Sequence, residues 1–521
     1  MKTLICILTI MFLLVRPEFS YSQAGNLDSS FGDGGKVISE IGTKDDYAFY
    51  SAIAADGSII SCGFYMQNNM ADGFLIKYSA NGIIDSTFGN NGIVKCNYFT
   101  EANNIAVLAF QTNGKIVAAG KISSDIMILR YEANGTPDSS FGNNGLVRTH
   151  IMTDQNATGL EILPGGKILI SAAIYNGTNQ DFGIIRYNTD GTFDTSFGNN
   201  GTVVSDLTNT WELNSSMKLQ ADGKIVMAGR VYSAAYDQSK CIIARYEADG
   251  ALDISFGNNG KVITDVGPAS YGVFNNLAIQ ADGKIIAVGY TIEDTGGGLY
   301  DNKNLTVRYN ANGAPDSSFG TNGIVLTEVA GGGDIAWSVA IQADGKILVG
   351  GYTSHGFPSW ESYFSLIRYD INGVLDPDLF MAGMVLTYFS DNETNAAYDI
   401  KIQSDGKILL TGMTAQDSTD AKNVALARFI NDPDYSIQDH IENAPVSVFP
   451  IPSGGLFTIC NNMPGRTNYD LKIYNVLGEQ IYHSKINTTS TIIDLRCKPK
   501  GIYLINADLG DQSTTKKIII E

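Results

Sequence analysis

The residues able to do chemistry in this chain do not gather into a catalytic set. Its four histidines, His150, His355, His440 and His483, stand alone, with no His-x-x-x-His and no carboxylate at metal-ligand spacing. Serine and aspartate are abundant, yet no Gly-x-Ser-x-Gly elbow presents a nucleophile. The recurring Phe-Gly-Asn-Asn-Gly strings hold two glycines each, but they join strand to strand, and a phosphate cradle needs a helix N-terminus behind it. Cys62, Cys96, Cys241, Cys460 and Cys497 are scattered without metal spacing and read as small buried hydrophobes; Cys460–Cys497 is the one disulfide worth testing. No catalytic residue, bound metal or cofactor is therefore expected. What remains is a group of aromatics in two long connections: Tyr300 in Thr291–Asn304, and His355, Phe357, Trp360 and Tyr363 in Thr353–Phe364. Such side chains suit stacking on a sugar face or gripping a peptide, and neutral drift of solvent-exposed loops is the competing reading.

The elements that would carry them repeat. Between Leu27 and Phe429 a module recurs that opens on an Asp-x-x-Phe-Gly turn, passes a Gly-Lys-Ile hairpin and closes on Arg-Tyr. The turn phenylalanines are Phe31, Phe88, Phe141, Phe197, Phe256 and Phe319, with a degenerate copy at Phe380. The closing pairs run from Lys77-Tyr78 to Arg428-Phe429. A fixed period of this size means a unit that buries its apolar face only against its neighbours.

Within a module, short β-permissive runs alternate with Asp-Gly or Asn-Gly turns, at Asp56-Gly57, Asn113-Gly114, Asp222-Gly223, Asp282-Gly283, Asp344-Gly345 and Asp405-Gly406. Their aspartates could be calcium ligands or catalytic carboxylates, but a type I′ hairpin turn, with positive φ at both positions, explains them more simply. The recurring arginine could line an anion site; its regular repetition favours a structural ladder. Four antiparallel strands per module predict an all-β chain, a seven-bladed β-propeller followed by a small C-terminal β-sandwich. An open solenoid is the alternative, and the sequence leaves open whether the N-terminal strand completes the last blade. Only the connection between third and fourth strands varies in length, which concentrates variation on one rim.

The formal net charge of −19 repels phosphate backbones and anionic bilayers, so nucleic acid and membrane surface are poor partners. Residues 1–22 read as a signal peptide: Lys2, an apolar run over Leu4–Val15, and Ser20 and Ser22 before Gln23. No later stretch approaches the eighteen apolar residues of a transmembrane helix. The propeller is expected over 23–429, a polar linker over 430–443, and a separate β-sandwich over 444–521.

Two resemblances rest on these strings. Leu27-Asp-Ser-Ser-Phe-Gly-Asp-Gly-Gly-Lys-Val, Ala278-Ile-Gln-Ala-Asp-Gly-Lys-Ile-Ile-Ala-Val-Gly and Ile184-Ile-Arg-Tyr-Asn resemble the bacterial delta-60 repeat, which implies a large secreted or surface-exposed protein and transfers no catalytic residue. The tail motifs are Phe449-Pro-Ile-Pro-Ser-Gly-Gly-Leu-Phe-Thr-Ile, Leu471-Lys-Ile-Tyr-Asn-Val-Leu-Gly-Glu, Ile493-Asp-Leu, Gly501-Ile-Tyr-Leu-Ile and Lys516-Lys-Ile-Ile-Ile-Glu. Together they look like the type A C-terminal sorting domain of the type IX secretion system, departing from it at Ile451 and Cys497. That resemblance implies the type IX machinery as a partner of residues 444–521, crossing of a Gram-negative outer membrane, and release or surface attachment. The expected function is a non-catalytic secreted or cell-surface binding and adhesion module, with a glycan or protein ligand at the variable rim. An extracellular hydrolase of glycans or peptides and a purely structural surface protein are the alternatives.

Overall fold

The computed structural model describes residues 24–96, 100–233, 238–266, 270–296, 299–330, 332–355, 361–380, 383–389, 394–415, 421–431, 446–449, 455–461, 469–475, 479–488, 490–508 and 513–520. The expected leader 1–22 and nearly all of the linker 430–443 thus lie outside the described residues. The chain divides into two compact units at Asn431/Asp432.

In the first unit every described element is a strand, and the strands form four-stranded antiparallel sheets. The first sheet runs outward from its inner strand, Asp46–Ile53, through Ile59–Gln67 and Met70–Tyr78 to the outer Ile93–Lys95. The inner strands of the following sheets are Asn103–Phe110, Asp154–Ile162, Glu212–Leu219, Ser270–Ile279, Gly332–Ile341 and Thr394–Ile402. Each inner strand contacts the next, and Thr394–Ile402 contacts Asp46–Ile53, so the sheets close on themselves as a propeller. The apolar face that one sheet cannot bury alone is covered by its neighbour: Ile126, Ile128 and Phe141 of one module share a core with Ile168, Ile170 and Tyr187 of the next.

Closure is made by the N-terminal strand. Lys36–Ser39 pairs antiparallel with Asn423–Phe429, Lys36 opposite Ala427 and Ser39 opposite Val424, and supplies the outer strand of the last sheet. The seam is completed by the Gly25 N–H donating to the Ile430 carbonyl and the Ile430 N–H donating to that of Asn26.

The repeated residues build a ladder. Arg130, Arg186, Arg245, Arg308 and Arg368 each place Nε 2.6–2.8 Å from the aspartate eight residues on, from Asp138 to Asp376. The guanidinium of Arg245 lies 4.5 Å from the centroid of the buried Phe256 ring and donates 2.5 Å to the Ala311 carbonyl of the following sheet. The lysine of each Gly-Lys-Ile hairpin reaches the same carboxylate, as Lys224 does to Asp253 at 2.8 Å. Across the seam the ladder persists, with Arg428 and Lys407 both meeting Asp28 of the N-terminal turn.

Three sequence expectations are corrected. Phe380 is not the seventh turn aromatic: it is 41% exposed, while Leu379 is fully buried in the slot the other phenylalanines occupy. The Leu379 N–H accordingly bonds the Asp376 carbonyl, as that of Phe319 bonds Asp316, and Phe380 takes the positive-φ position that is glycine elsewhere. The Asp-Gly hairpins are not type I′. Gly57 has φ +81° but Asp56 is not left-handed, and the Ala54 N–H bonds the Ser58 carbonyl, which gives a three-residue loop with the glycine left-handed. Asp56 Oδ1 instead accepts from Ser58 N and Oγ, a local carboxylate turn. Thr291–Asn304 is largely strand rather than loop, since Ile285–Gly296 and Leu299–Tyr309 stay paired out to Gly296 opposite Leu299.

The second unit holds two sheets. Val446–Phe449, Leu456–Asn461 and Ser490–Asp494 form one; Gln480–Ile486, Tyr469–Asn475, Gly501–Asp508 and Ser513–Ile520 form the other in that order. Phe457, Ile459, Leu471, Ile473, Ile493 and Ile505 are fully buried in their shared core. Cys497 is exposed with a free thiol and makes no disulfide; the Cys460 side chain lies outside the described residues.

Candidate functional site

Every inner strand carries one extra residue. The register against its neighbour slips at Phe49, Ala106, Thr158, Ser215, Asn275, Trp337 and Tyr398. A bulge of this kind re-aims a side chain and tightens the local twist. All of these residues are half-buried and line a cavity of about 300 Å³ on the propeller axis.

The ring is two-faced. Phe49, Trp337 and Tyr398 form an aromatic arc, with Tyr398 edge-on to both Phe49 (5.6 Å) and Trp337 (5.5 Å). Tyr47 and Phe64 extend the arc toward the start of the inner strands, stacked at 4.9 Å. Across the ring stand Thr158, Ser215 and Asn275, with Thr158 Oγ1 accepting from Asn214 Nδ2 at 2.5 Å and Asn275 Nδ2 donating to the Ala336 carbonyl at 2.8 Å. The Trp337 indole N–H is shielded from water and has no acceptor among the described residues.

Beneath the bulges runs a polar belt that locks neighbouring sheets together. Ser216 Oγ meets Asn276 Oδ1, Asn276 Nδ2 meets Ser338 Oγ (both 3.4 Å), and Ser338 Oγ donates 3.0 Å to Asp399 Oδ1. Asp399 Oδ2 then accepts 2.8 Å from the Ser51 N–H of the first sheet. Two lysines stand in the same channel. Lys401 holds both Asp399 oxygens at 2.6 and 2.7 Å and lies 4.0 Å over the Tyr50 ring; Lys218 holds Glu161 at 2.8 Å. Burial alone would lower both ammonium groups, but neighbouring groups, Asp399 for Lys401 and Tyr50 then Glu161 for Lys218, hold them above the ordinary lysine range. Both lysines are therefore fixed cations within ion pairs.

The rim residues expected from sequence fall unevenly. Tyr363 is described on the third strand of the sixth sheet, its hydroxyl 2.8 Å from Glu361 Oε2 and its ring edge-on to Tyr388 at 6.4 Å. Tyr300 and His355 have their backbones at the ends of Leu299–Tyr309 and Ile347–His355, with side chains outside the described residues; Phe357 and Trp360 lie outside them altogether. The fifth sheet's long hairpin reaches the sixth sheet's inner strand, Asn302 pairing with Gly333. The variable hairpins and the starts of the inner strands share one face, since Asp46 pairs with Tyr65 next to the hairpin at Asn68-Asn69.

Sequence reading missed the bulge ring, although a signal was there. Each bulge residue stands seven positions before its hairpin landmark, from Phe49 before Asp56 to Tyr398 before Asp405. In a frame of repeated residues, this column runs Phe, Ala, Thr, Ser, Asn, Trp, Tyr.

Comparison with known proteins agrees with both units. Residues 111–141, 163–197, 220–256, 280–319 and 342–378 match a β-propeller domain of unknown function, DUF5122. Residues 447–521 match the secretion system C-terminal sorting domain. The chain carries repeats of the DUF5122 β-propeller type followed by a secretion-system sorting tail. A tail of this kind marks a secreted or cell-surface protein of a Bacteroidetes-type Gram-negative bacterium. No curated protein matches the sequence. Among solved structures, the propeller chain is similar to the polysaccharide lyase Uly1 (10% identity, TM-score 0.45, 74% of this chain and 90% of that one). It is also similar to PorZ, a surface component of the type IX secretion system of Porphyromonas gingivalis (11%, TM-score 0.25, 93% and 75%), and to Sqt1 of Chaetomium thermophilum (10%, TM-score 0.39, 77% and 98%). None of these transfers an activity.

Proposed function

We propose that this secreted propeller is a non-catalytic binding module whose channel mouth grips a glycan. The observation that carries the reading is the bulge ring. Each sheet uses one irregularity to aim a residue at the axis, and apart from Ala106 those residues divide into an aromatic arc and a hydroxyl-and-amide arc. Aromatic faces stack on the C–H faces of sugar rings while hydroxyls and amides exchange hydrogen bonds with sugar hydroxyls. Of the rim aromatics expected from sequence, Tyr363 stands beside the variable hairpin of the sixth sheet and would extend the grip outward. A non-catalytic role is supported by the state of the channel's charges: Lys401 with Asp399, and Lys218 with Glu161, are already ion-paired.

The test is a glycan-array screen with the exported protein, followed by titration of the best ligand against Trp337→Ala and Tyr398→Ala. Loss of one stacking ring is expected to weaken binding about 5- to 10-fold, from an aromatic contribution of roughly 1 kcal/mol. Release of reducing sugar would instead establish a hydrolase, and binding unchanged in the double variant would move the site off the channel.

A further inference from the structure

At one place in the ring three carboxylates meet, and among the described residues none of them is paired with a lysine, arginine or histidine. Asp181 on Gln180–Tyr187, Asp206 just past Thr202–Ser205, and Glu212 at the start of the fourth inner strand each bring a carboxylate oxygen within 4.8 Å of the others. Asp181 is 4% exposed; its Oδ2 accepts from Asn176 Nδ2 at 2.8 Å, while its Oδ1 is sealed from water with no donor among the described residues. An anionic oxygen left buried and unpartnered costs several kcal/mol unless a charge compensates it.

The repeat shows what normally does. Asp181 and Asp206 lie one step beyond the last registered pair of third and outer strands, Phe182 opposite Ser205. The same step in the second sheet holds Asp125 and His150, 2.6 Å apart, with Arg148 at 2.5 Å from the same carboxylate. In the fourth sheet it holds Lys240 and Asp265, 2.6 Å apart. The third sheet alone among these sets aspartate against aspartate, and Glu212 adds a third acid. Glu212 has its own structural duty, since it accepts from the Leu207 N–H and Thr208 Oγ1 as Asp46 accepts from Ile41 N in the first module. Burial pushes Glu212 up to about 7 and raises Asp181, and the Asp206 charge adds to both.

We infer that Asp181, Asp206 and Glu212 bind a divalent cation, calcium, which takes the place that Arg148 and Lys240 fill in neighbouring sheets. All three donors are hard oxygens, with no imidazole or thiolate, and carboxylates drawn from separate elements suit the flexible oxygen shell of calcium. The ion would staple the outer strand of the third sheet to the inner strand of the fourth.

The test is a thermal melt of the full chain in calcium and in EGTA, with a calorimetric calcium titration. Calcium at a hundredfold its dissociation constant is expected to raise the melting temperature by roughly 3 °C or more. Asp181→Asn is expected to abolish the response. Because that buried variant risks misfolding, the exposed Asp206→Lys is the second: it mimics the Lys240–Asp265 arrangement and is expected to melt in EGTA as the parent does in calcium. Identical parent melts in calcium and EGTA, as carboxyls sharing a proton would give, overturn the site. A full calcium response in Asp206→Lys places binding elsewhere and also overturns it, and an equal rise with magnesium overturns the choice of calcium.

Discussion

Replacing Arg245 by alanine removes three contacts at once. Its Nε lies 2.7 Å from Asp253 Oδ2, its guanidinium 4.5 Å from the Phe256 centroid, and Nη1 2.5 Å from the Ala311 carbonyl of the next sheet. Arg245 is 8% exposed and Asp253 3%, so the pair is not a surface ion pair screened by water. Breaking a buried pair typically costs about 3–5 kcal/mol, and the stacking adds roughly 0.5–2 kcal/mol. Against this, Asp253 keeps Lys224 at 2.8 Å and two bonds from Ser255, so its charge is not orphaned. The net loss is therefore expected near the lower end, about 3–4 kcal/mol. Arg245→Lys keeps the charge but not the fork or the reach to Ala311, and about half that loss is expected. The first module already uses lysine here, Lys77 at 3.0 Å from Asp85. Urea unfolding followed by circular dichroism and tryptophan fluorescence measures both. A loss below about 1 kcal/mol for the alanine variant would refute the ladder as a stabilising device and reduce it to a by-product of the turn.

Two further outcomes follow from the same contacts. Burial alone would raise Asp253, but Lys224, Ser255 and Arg245 hold it well below the ordinary 3.8, as their equivalents do for Asp138, Asp194 and Asp316. Stability from these depressed groups is full above about pH 4 and is lost as pH falls toward the folded values, whereas Asp46, pushed by burial up to about 6, costs stability as pH rises through that range. A melting temperature that holds steady from pH 5 to pH 2 would contradict this. Deleting 27–41 removes the outer strand of the last sheet together with Asp28 and Phe31, and a single cooperative transition is expected to move down by many degrees; a second, unshifted transition would mean that the sheets unfold independently.

The propeller was legible because the repeat unit and the fold unit are nearly the same thing. Turn, hairpin and closing arginine sit at near-constant intervals, and the structure joins them as one ladder. The phase of the unit was not legible: nothing local to Lys36–Ser39 says that its partner is Asn423–Phe429 and not the strand that follows it. Leu379 was hidden by the adjacent Phe380, since residue type drew attention from the ten-residue spacing that Leu379 satisfies. The channel ring was hidden for another reason. Bulge residues have no common type, and only their constant offset marks them. The three carboxylates were invisible to any local reading, because 25 positions separate Asp181 from Asp206 and neither motif nor spacing links them to Glu212.

The seam between Lys36–Ser39 and Asn423–Phe429 also sets an order of events. Lys36 and Ala427 are 391 positions apart (427 − 36), and tying such a loop in an unfolded chain would cost roughly 5 kcal/mol of closure entropy. The cost falls sharply once the intervening hairpins stand, because the two ends are then brought side by side by rigid sheets. Local hairpins thus form early and the seam last, so the strand synthesised first waits for the strand synthesised nearly last. Ring closure is then a molecular record of completeness: a chain cut short anywhere before Phe429 keeps an unsatisfied outer edge and an incomplete ladder rung at Asp28. The same seam, held by four registered pairs, is where unfolding of a finished ring is expected to begin.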